Sequence, residues 1–490
     1  MTGSYLESTA RLAAPWLLAA AAALLAGAIA AGEVESRYGS APAFFLLAAL
    51  LGGSFVIVFA FLGSLAIVVW PVAATVGYLI QIPSGQPVIT FDRIWIGGMV
   101  AYIALNRRTV ERSPFTQPLA LGFMLLVVAY GLRAVTTSAT LDRPVGIWID
   151  AILLPAILFV ACERYCLNGT THARRLTGAL MLAGGVLGAI GIAQRIWGFE
   201  LATLTGGFVR YDVGVDQTRI SGPYPAPEPY ALSLLICLAA TLFWIQSRDL
   251  GRRYSWAILL MGMQVAAILL TLFRAAWIGV IVIVVAAFGI RPGRIGRMFA
   301  VVTLVGILAF IASPQLLQNE TIATRTRDTD NISGRLATYE QGFRMFLSEP
   351  LFGVGVERYH EVAERLPPET VAGVQSVTFA HSSYVGLLAE QGIVGFLPFL
   401  LLTYGVWVLV RGLRAASAAN REALFLTACV AGASLAYLVM SLTLTMLPYA
   451  PSNAFFAALL GAASGRLDAL LGARETSPTP GWRQAPATAR

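Results

Sequence analysis

His381 and Ser382 stand where a long polar loop gives way to an apolar run, in "FAHSSYVGLLAEQGIVGFLPFL" (379–400). Gly392 follows after nine intervening residues, and Gly395 three further on. An imidazole exchanges a proton near neutral pH, so a histidine at a membrane–water boundary suits acid–base chemistry on a membrane-bound substrate. An interfacial histidine can also do no more than satisfy backbone groups, and position alone leaves both readings open. The other two histidines are less well sited. His172 lies in an arginine-flanked loop, and His360 falls on the exposed side of an expected loop helix.

Arginines are the second group with chemical meaning. Arg274, in "LLTLFRAAWIGV", sits between two apolar runs with almost no loop. A guanidinium that close to hydrocarbon is costly unless it snorkels to water or has a partner. A lipid phosphate is such a partner, because guanidinium binds its oxygens bidentately. Arg219 and Arg210 lie in "GGFVRYDVGVDQTRISGPYPAPEPY", where Gly222 and prolines 223, 225, 227 and 229 stiffen the approach to the next helix. A solvated loop charge is the alternative, and it suits Arg210 better than Arg219. Arg335 opens a predicted helix and has Glu340 and Asp330 as alternative ion-pair partners. Arg325, Arg327 and Arg344 are weaker candidates. Asp150, Glu390, Arg133 and Arg195 fall in or near apolar spans. Asp150 and Glu390 read better as structural partners of arginines on neighbouring helices than as a proton relay.

The elements that must hold these groups are membrane spans. Of 490 residues, 57% are hydrophobic and 12% charged, against roughly 25% charged in soluble domains. The class is an all-α polytopic membrane protein. Runs of about 20 apolar residues predict spans at 13–31, 41–60, 62–82, 92–106, 117–136, 145–162, 176–197, 229–246, 255–273, 275–290, 298–313, 383–410, 422–442 and 450–466, with twelve to fourteen the defensible range. The first is read as a span rather than a cleaved leader, because many apolar runs follow it. All 34 basic residues are arginine. They cluster as 107, 108 and 112; 164, 174 and 175; 248, 252 and 253; 291, 294 and 297; and 411, 414 and 421. Each cluster falls on an alternate loop, which predicts that these loops and both termini are cytoplasmic.

The organisation expected is N-terminal helices over 1–197, a first long outer loop at 198–228, helices at 229–313, a large outer loop at 314–381, C-terminal helices at 382–468, and a disordered Pro/Ala/Thr-rich cytoplasmic tail at 469–490. In the large loop, Leu336, Tyr339, Phe343 and Phe346 fall on one helical face after a possible Ser333 cap. "PLFGVG" (350–355) breaks that pattern, and a second short helix runs to Pro367-Pro368. Two such helices over the outer face make a lid or a cleft.

Several function classes are excluded. There is no Walker loop, H-E-x-x-H or G-x-S-x-G motif. The large loop carries nine acids beside six arginines, so the net charge of +8 reads as a topology signal and no nucleic-acid partner is expected. Cys162, Cys166, Cys237 and Cys429 form no metal set and read as structural.

"ISGRLATYEQGFRMFLSEPLFGVGVERY" followed by "AHSSYVGLLAEQGIVG" resembles the O-antigen ligase and O-antigen polymerase superfamily. Its His-[Asn/Ser/Gln]-x9-Gly-x-x-Gly pattern fits His381, Ser382, Gly392 and Gly395. "LTLFRAAWIG" resembles its Ser-Arg-Gly/Ala hairpin, with Phe273 in place of the usual serine. "RISGPYPAPEPYAL" is similar to its arginine-glycine segment. The resemblance covers residues 205–400. It implies a metal- and cofactor-independent membrane glycosyltransferase in a bacterial inner membrane, with its active site on the periplasmic face. Arg219, Arg274 and Arg335 would hold the undecaprenyl diphosphate of a lipid-linked glycan donor. His381 would be the base that activates a hydroxyl of lipid A–core or another glycan acceptor. Unequal outer loops lean towards ligation of O-antigen. A polymerase of the same superfamily, or a lipid-linked oligosaccharide transporter, are the alternatives. The transporter is disfavoured because the candidate residues crowd at one face and no internal repeat is detectable.

Overall fold

The computed structural model describes residues 64–79, 81–82, 89–105, 112–137, 143–169, 171–199, 201, 219–247, 255–289 and 330–475. The expected spans at 13–31, 41–60 and 298–313 lie outside them, as do Arg210, Arg325 and Arg327. The described chain is helical: α1 (Leu65–Gly77), α2 (Phe91–Leu105), α3 (Gln117–Thr137), α4 (Arg143–Leu167), α5 (His172–Trp197), α6 (Pro227–Gln246), α7 (Ser255–Leu270), α8 (Arg274–Gly289), α9 (Asp330–Ser348), α10 (Tyr359–Arg365), α11 (Ser383–Ala416), α12 (Arg421–Thr443) and α13 (Ala450–Glu475). Two small antiparallel hairpins interrupt it, β1 (Gln81–Ile82) with β2 (Ile89–Thr90) and β3 (Thr370–Val371) with β4 (Val374–Gln375).

Seven of the described helices (α3, α4, α5, α6, α11, α12 and most of α13) are long and apolar enough to cross a membrane. The protein is an all-α polytopic membrane protein. Shorter apolar helices cover Leu65–Gly77, Trp256–Leu270 and Arg274–Ala287. Helix α4 contains a π-helical stretch, Trp148–Leu153. Its Asp150 takes a two-pronged ion pair from Arg93 at 2.7 and 2.9 Å, so Asp150 is the structural partner of an arginine on a neighbouring helix. Close packing rests on small residues, as it does where lipid provides no hydrophobic drive between helices. A Cβ on Gly461 or Gly465 of α13 would lie 2.4 Å from the Phe159 carbonyl oxygen or 2.1 Å from that of Glu163, both on α4.

Arg112 and Arg174, described members of two of the arginine clusters, lie at one end of the bundle. Arg112 grips the buried Glu163 carboxylate at 2.7–3.2 Å, and Ser464 donates to it at 2.8 Å. Glu422 receives Arg466 at 2.9 Å and Arg174 at 3.4 Å. Asp468 accepts from the Ser113 amide at 3.2 Å and the Thr116 hydroxyl at 2.9 Å. Buried charges persist only when paired in this way. The network ties the start of α3, the end of α4, and the facing ends of α5, α12 and α13. The opposite end of each of these helices carries the candidate site.

Helix α9 begins at Asp330, so Ser333 lies in its first turn and not at its cap. Its buried face is not the one that carries Leu336 and Phe343. Ala337, Thr338, Gln341 and Met345 are buried, whereas Leu336 and Phe343 are half exposed. Ala337 lets the helix approach closely, Met345 packs inward, and Leu336 and Phe343 are turned away.

Candidate active site

His381 is placed by a set of polar ties on each side of it. Ser382 caps α11 in extended backbone, its hydroxyl accepting from the Val385 amide at 3.5 Å. Ser383 donates to the Leu444 carbonyl at 3.0 Å and accepts from the Met446 amide at 2.7 Å. Thr445 donates to the Ala380 carbonyl. The segment before α11 is therefore bound to the α12–α13 connection, far away in sequence. Tyr339 of α9 completes the frame. Its hydroxyl lies 3.3 Å from the His381 carbonyl and 2.5 Å from that of Leu442. Burial raises the Tyr339 hydroxyl above its ordinary pKa, while the Arg335 guanidinium one turn earlier pulls it back in part. It remains a neutral donor, held between Arg335 and the His381 backbone. Among the residues whose side chains are described Arg335 makes no ion pair, so Glu340 does not engage it, and the Asp330 side chain lies outside those described.

Arg219 is tied to the turn between α7 and α8 that Arg274 follows. The Arg219 Nε donates to the Thr271 carbonyl at 3.0 Å, and its terminal nitrogen pairs with Glu228 at 3.2 Å. The approach to α6 is tied to the end of α5. Gln194 accepts the Ser221 and Gly222 amides at 3.1 and 2.8 Å, and Pro227 opens α6. In the turn, Leu272 adopts a φ of 52°, uncommon for a residue with a side chain. The Thr271 hydroxyl accepts from the Phe273 amide at 3.3 Å, and the Phe273 ring is buried. The hydroxyl that the family pattern places at 273 is absent, and Thr271 caps the turn instead. Arg274 is then the exposed first residue of α8, beside a helix N-terminus whose amide groups and dipole favour an anion.

The register of α8 on α12 relates this turn to His381. Gly279 faces Ala436 at 3.6 Å, and Gly432 faces Ile283 at 3.1 Å, so the two helices run antiparallel. Carried back to the start of α8, that register brings Arg274 level with Ser441, next to the Leu442 carbonyl that Tyr339 holds. Arg219, Arg274, Arg335, Tyr339 and His381 thus gather at one end of the bundle.

Gly392 explains the rest of the motif. Its φ and ψ of 59° and −156° break α11, and a Cβ there would lie 2.5 Å from the Leu351 carbonyl carbon. The break frees backbone groups that the loop 350–355 takes up. Ile393 and Val394 donate to Pro350 and Leu351 at 2.9 and 3.1 Å, while Val354 and Gly355 donate to Ala389 and Glu390 at 2.9 Å each. Gly353, at φ 66°, approaches Glu390 so closely that its Cβ would sit 2.3 Å away. Gly395 lets the buried Gln391 side chain lie against it, 2.5 Å from the site of a Cβ. "PLFGVG" and the glycine pair are two halves of one clasp, and Arg133 of α3 donates to the Gly353 carbonyl to hold it. Glu390 departs from expectation. Its carboxylate accepts the Tyr359 amide at 3.2 Å, capping the start of α10 rather than pairing with an arginine.

The remaining candidates do other work. Arg344 pairs with Glu369. His360 stacks on Phe379 at 4.9 Å and meets Glu364 at 3.2 Å. Tyr339 and Thr445 are site residues that reading the sequence misses. The one signal for Tyr339 is its spacing of four from Arg335, and for Thr445 there is none. Among the described residues, no group of three His, Cys, Asp or Glu side chains gathers that would hold a metal ion.

Residues 256–400 match the family model described as O-antigen ligase. The match takes in the α7–α8 turn with Arg274, helix α9 with Arg335 and Tyr339, the clasp loop, His381, Gly392 and Gly395. Arg219 and the α12–α13 connection lie outside it. No curated protein matches the chain.

Proposed function

From a site carried by a segment of the O-antigen ligase superfamily, we propose that this membrane protein transfers a glycan from undecaprenyl diphosphate to an acceptor hydroxyl, and that the reaction is ligation of O-antigen to lipid A–core at the periplasmic face of the inner membrane. The observation that carries this reading is the gathering of Arg219, Arg274 and Arg335 around the end of the bundle where Tyr339 holds the His381 backbone.

The chemistry follows from what each group does. The acceptor oxygen attacks the anomeric carbon of the donor sugar as His381 takes the hydroxyl proton. The bond from that carbon to the diphosphate oxygen breaks, and the electron pair leaves with undecaprenyl diphosphate. Negative charge grows on the departing oxygen, and the arginines with the α8 N-terminus oppose it. Arg274 faces the donor, while Arg219, already tied to the Thr271 carbonyl and Glu228, stiffens the turn that presents it. Guanidinium groups supply the charge a divalent cation would otherwise bring, so transfer is metal-independent and persists in excess chelator.

The test is the product left behind when the protein is deleted. Full-length polymer accumulating on the lipid carrier is the expected result. Single repeat units on the carrier would identify a polymerase and overturn ligation.

A further inference from the structure

Helix α9 packs on the bundle through Ala337, Thr338, Gln341, Gly342 and Met345, and displays a separate set of large apolar side chains. At Gly342, a Cβ would lie 2.4 Å from Val385 of α11, so this face is the one in contact. On the other side, Ile332, Leu336, Phe343 and Leu347 are 64, 50, 53 and 61% exposed. At about 100° per residue they fall within an arc of roughly 60° and form one stripe. Leu351 and Phe352, 57 and 52% exposed, extend it beyond the helix end. A helix facing water buries such residues.

The stripe is continuous with a surface that meets lipid. The backbone bonds from Ile393 to Pro350 and from Val394 to Leu351 lay the loop along α11. There Ile393, Val394, Leu397 and Leu400 are exposed, on a helix long and apolar enough to span the membrane. Polar groups border the stripe on both sides. Glu340 and the Arg344–Glu369 pair lie along one flank, and Arg335 and Tyr339 along the flank nearest the site. An apolar edge with polar flanks is the cross-section of a helix lying in the membrane plane.

We propose that α9 is an interfacial helix whose stripe, from Ile332 to Phe352, is immersed among the acyl chains of the leaflet at the His381 end. It is a wall of the site standing in lipid and not a lid above it in water. The occupant of the stripe is the bilayer.

The experiment places nitroxide labels on Phe343→Cys and Leu347→Cys in the full-length protein, reconstituted in phosphatidylethanolamine/phosphatidylglycerol liposomes. Leu397→Cys on α11 is the lipid reference, and Glu364→Cys on α10 is the aqueous one. The four native cysteines are buried, and the unsubstituted protein gives the labelling blank. The expected result is an oxygen-to-nickel-chelate accessibility ratio at 343 and 347 that matches position 397 and exceeds position 364 severalfold. A ratio like that at 364 would put the stripe in water and overturn the proposal. Exclusion of both relaxers at 343 and 347 would mean that protein covers the stripe, a second copy included, and would overturn it equally.

Discussion

Arg274 and Tyr339 separate the chemical reading of the site from a merely structural one. Arg274 is the exposed first residue of α8, and a snorkelling arginine there could be replaced by lysine. A diphosphate ligand needs the planar two-pronged donor, and lysine offers only a point charge. Losing one charge-assisted contact costs about 1.5–3 kcal/mol, so Arg274→Lys should slow transfer about ten- to a hundredfold at normal protein level. Wild-type transfer by that variant would return Arg274 to the structural reading. Tyr339 acts through the backbone it holds and is a positioning residue. Tyr339→Phe loses bonds to the Leu442 and His381 carbonyls but keeps the ring. The expected outcome is a fall in kcat of about three- to tenfold, from a bond worth about 1 kcal/mol, with donor KM little changed. A shift confined to KM would contradict the positioning role.

At the scale of elements, the spans were legible because an apolar run of about 20 residues matches the thickness of a bilayer's hydrocarbon core. The expected 117–136 and 422–442 became Gln117–Thr137 and Arg421–Thr443. Helix α9 was legible as a helix, but its orientation was not. Periodicity locates an apolar face without saying whether protein or lipid receives it, and here Gly342 and Ala337 took the protein side. The clasp between 350–355 and Gly392 was visible only as glycine punctuation, because its four hydrogen bonds join backbones 35 to 43 residues apart and no side-chain type encodes them. Likewise Thr445 reaches Ala380 from a connection that no local pattern links to His381. The clasp makes its own prediction. Gly392→Ala meets both a left-handed backbone and a carbonyl carbon 2.5 Å from its Cβ. It should lose about 1–3 kcal/mol from backbone strain alone, read as a lower midpoint of thermal unfolding in detergent together with loss of transfer. Ala at Gly472, which has nothing within 4 Å, should leave both unchanged.

Across the whole molecule, two ends carry two kinds of charge. One end is closed by paired charges, Arg112 with Glu163 and Arg466 with Glu422. The other gathers arginines near a histidine, with Arg219 paired to Glu228 and Arg274 exposed at the start of α8. If the arginine loops are cytoplasmic, reporter fusions at 110, 250 and 416 should signal inside and fusions at 214 and 365 outside. An outside signal at 250 would break the alternation on which the orientation depends. The central claim, that His381 is the base of a glycan transfer, is tested most directly by His381→Gln in liposomes given both substrates on the outer face. Glutamine keeps hydrogen bonding but takes no proton, and general-base catalysis contributes typically about 10²–10⁴-fold. The account predicts that wild-type protein moves glycan from undecaprenyl diphosphate to lipid A–core, and that His381→Gln, at equal protein level and with donor binding intact, does not do so measurably. Transfer by His381→Gln at a rate near wild type would contradict it.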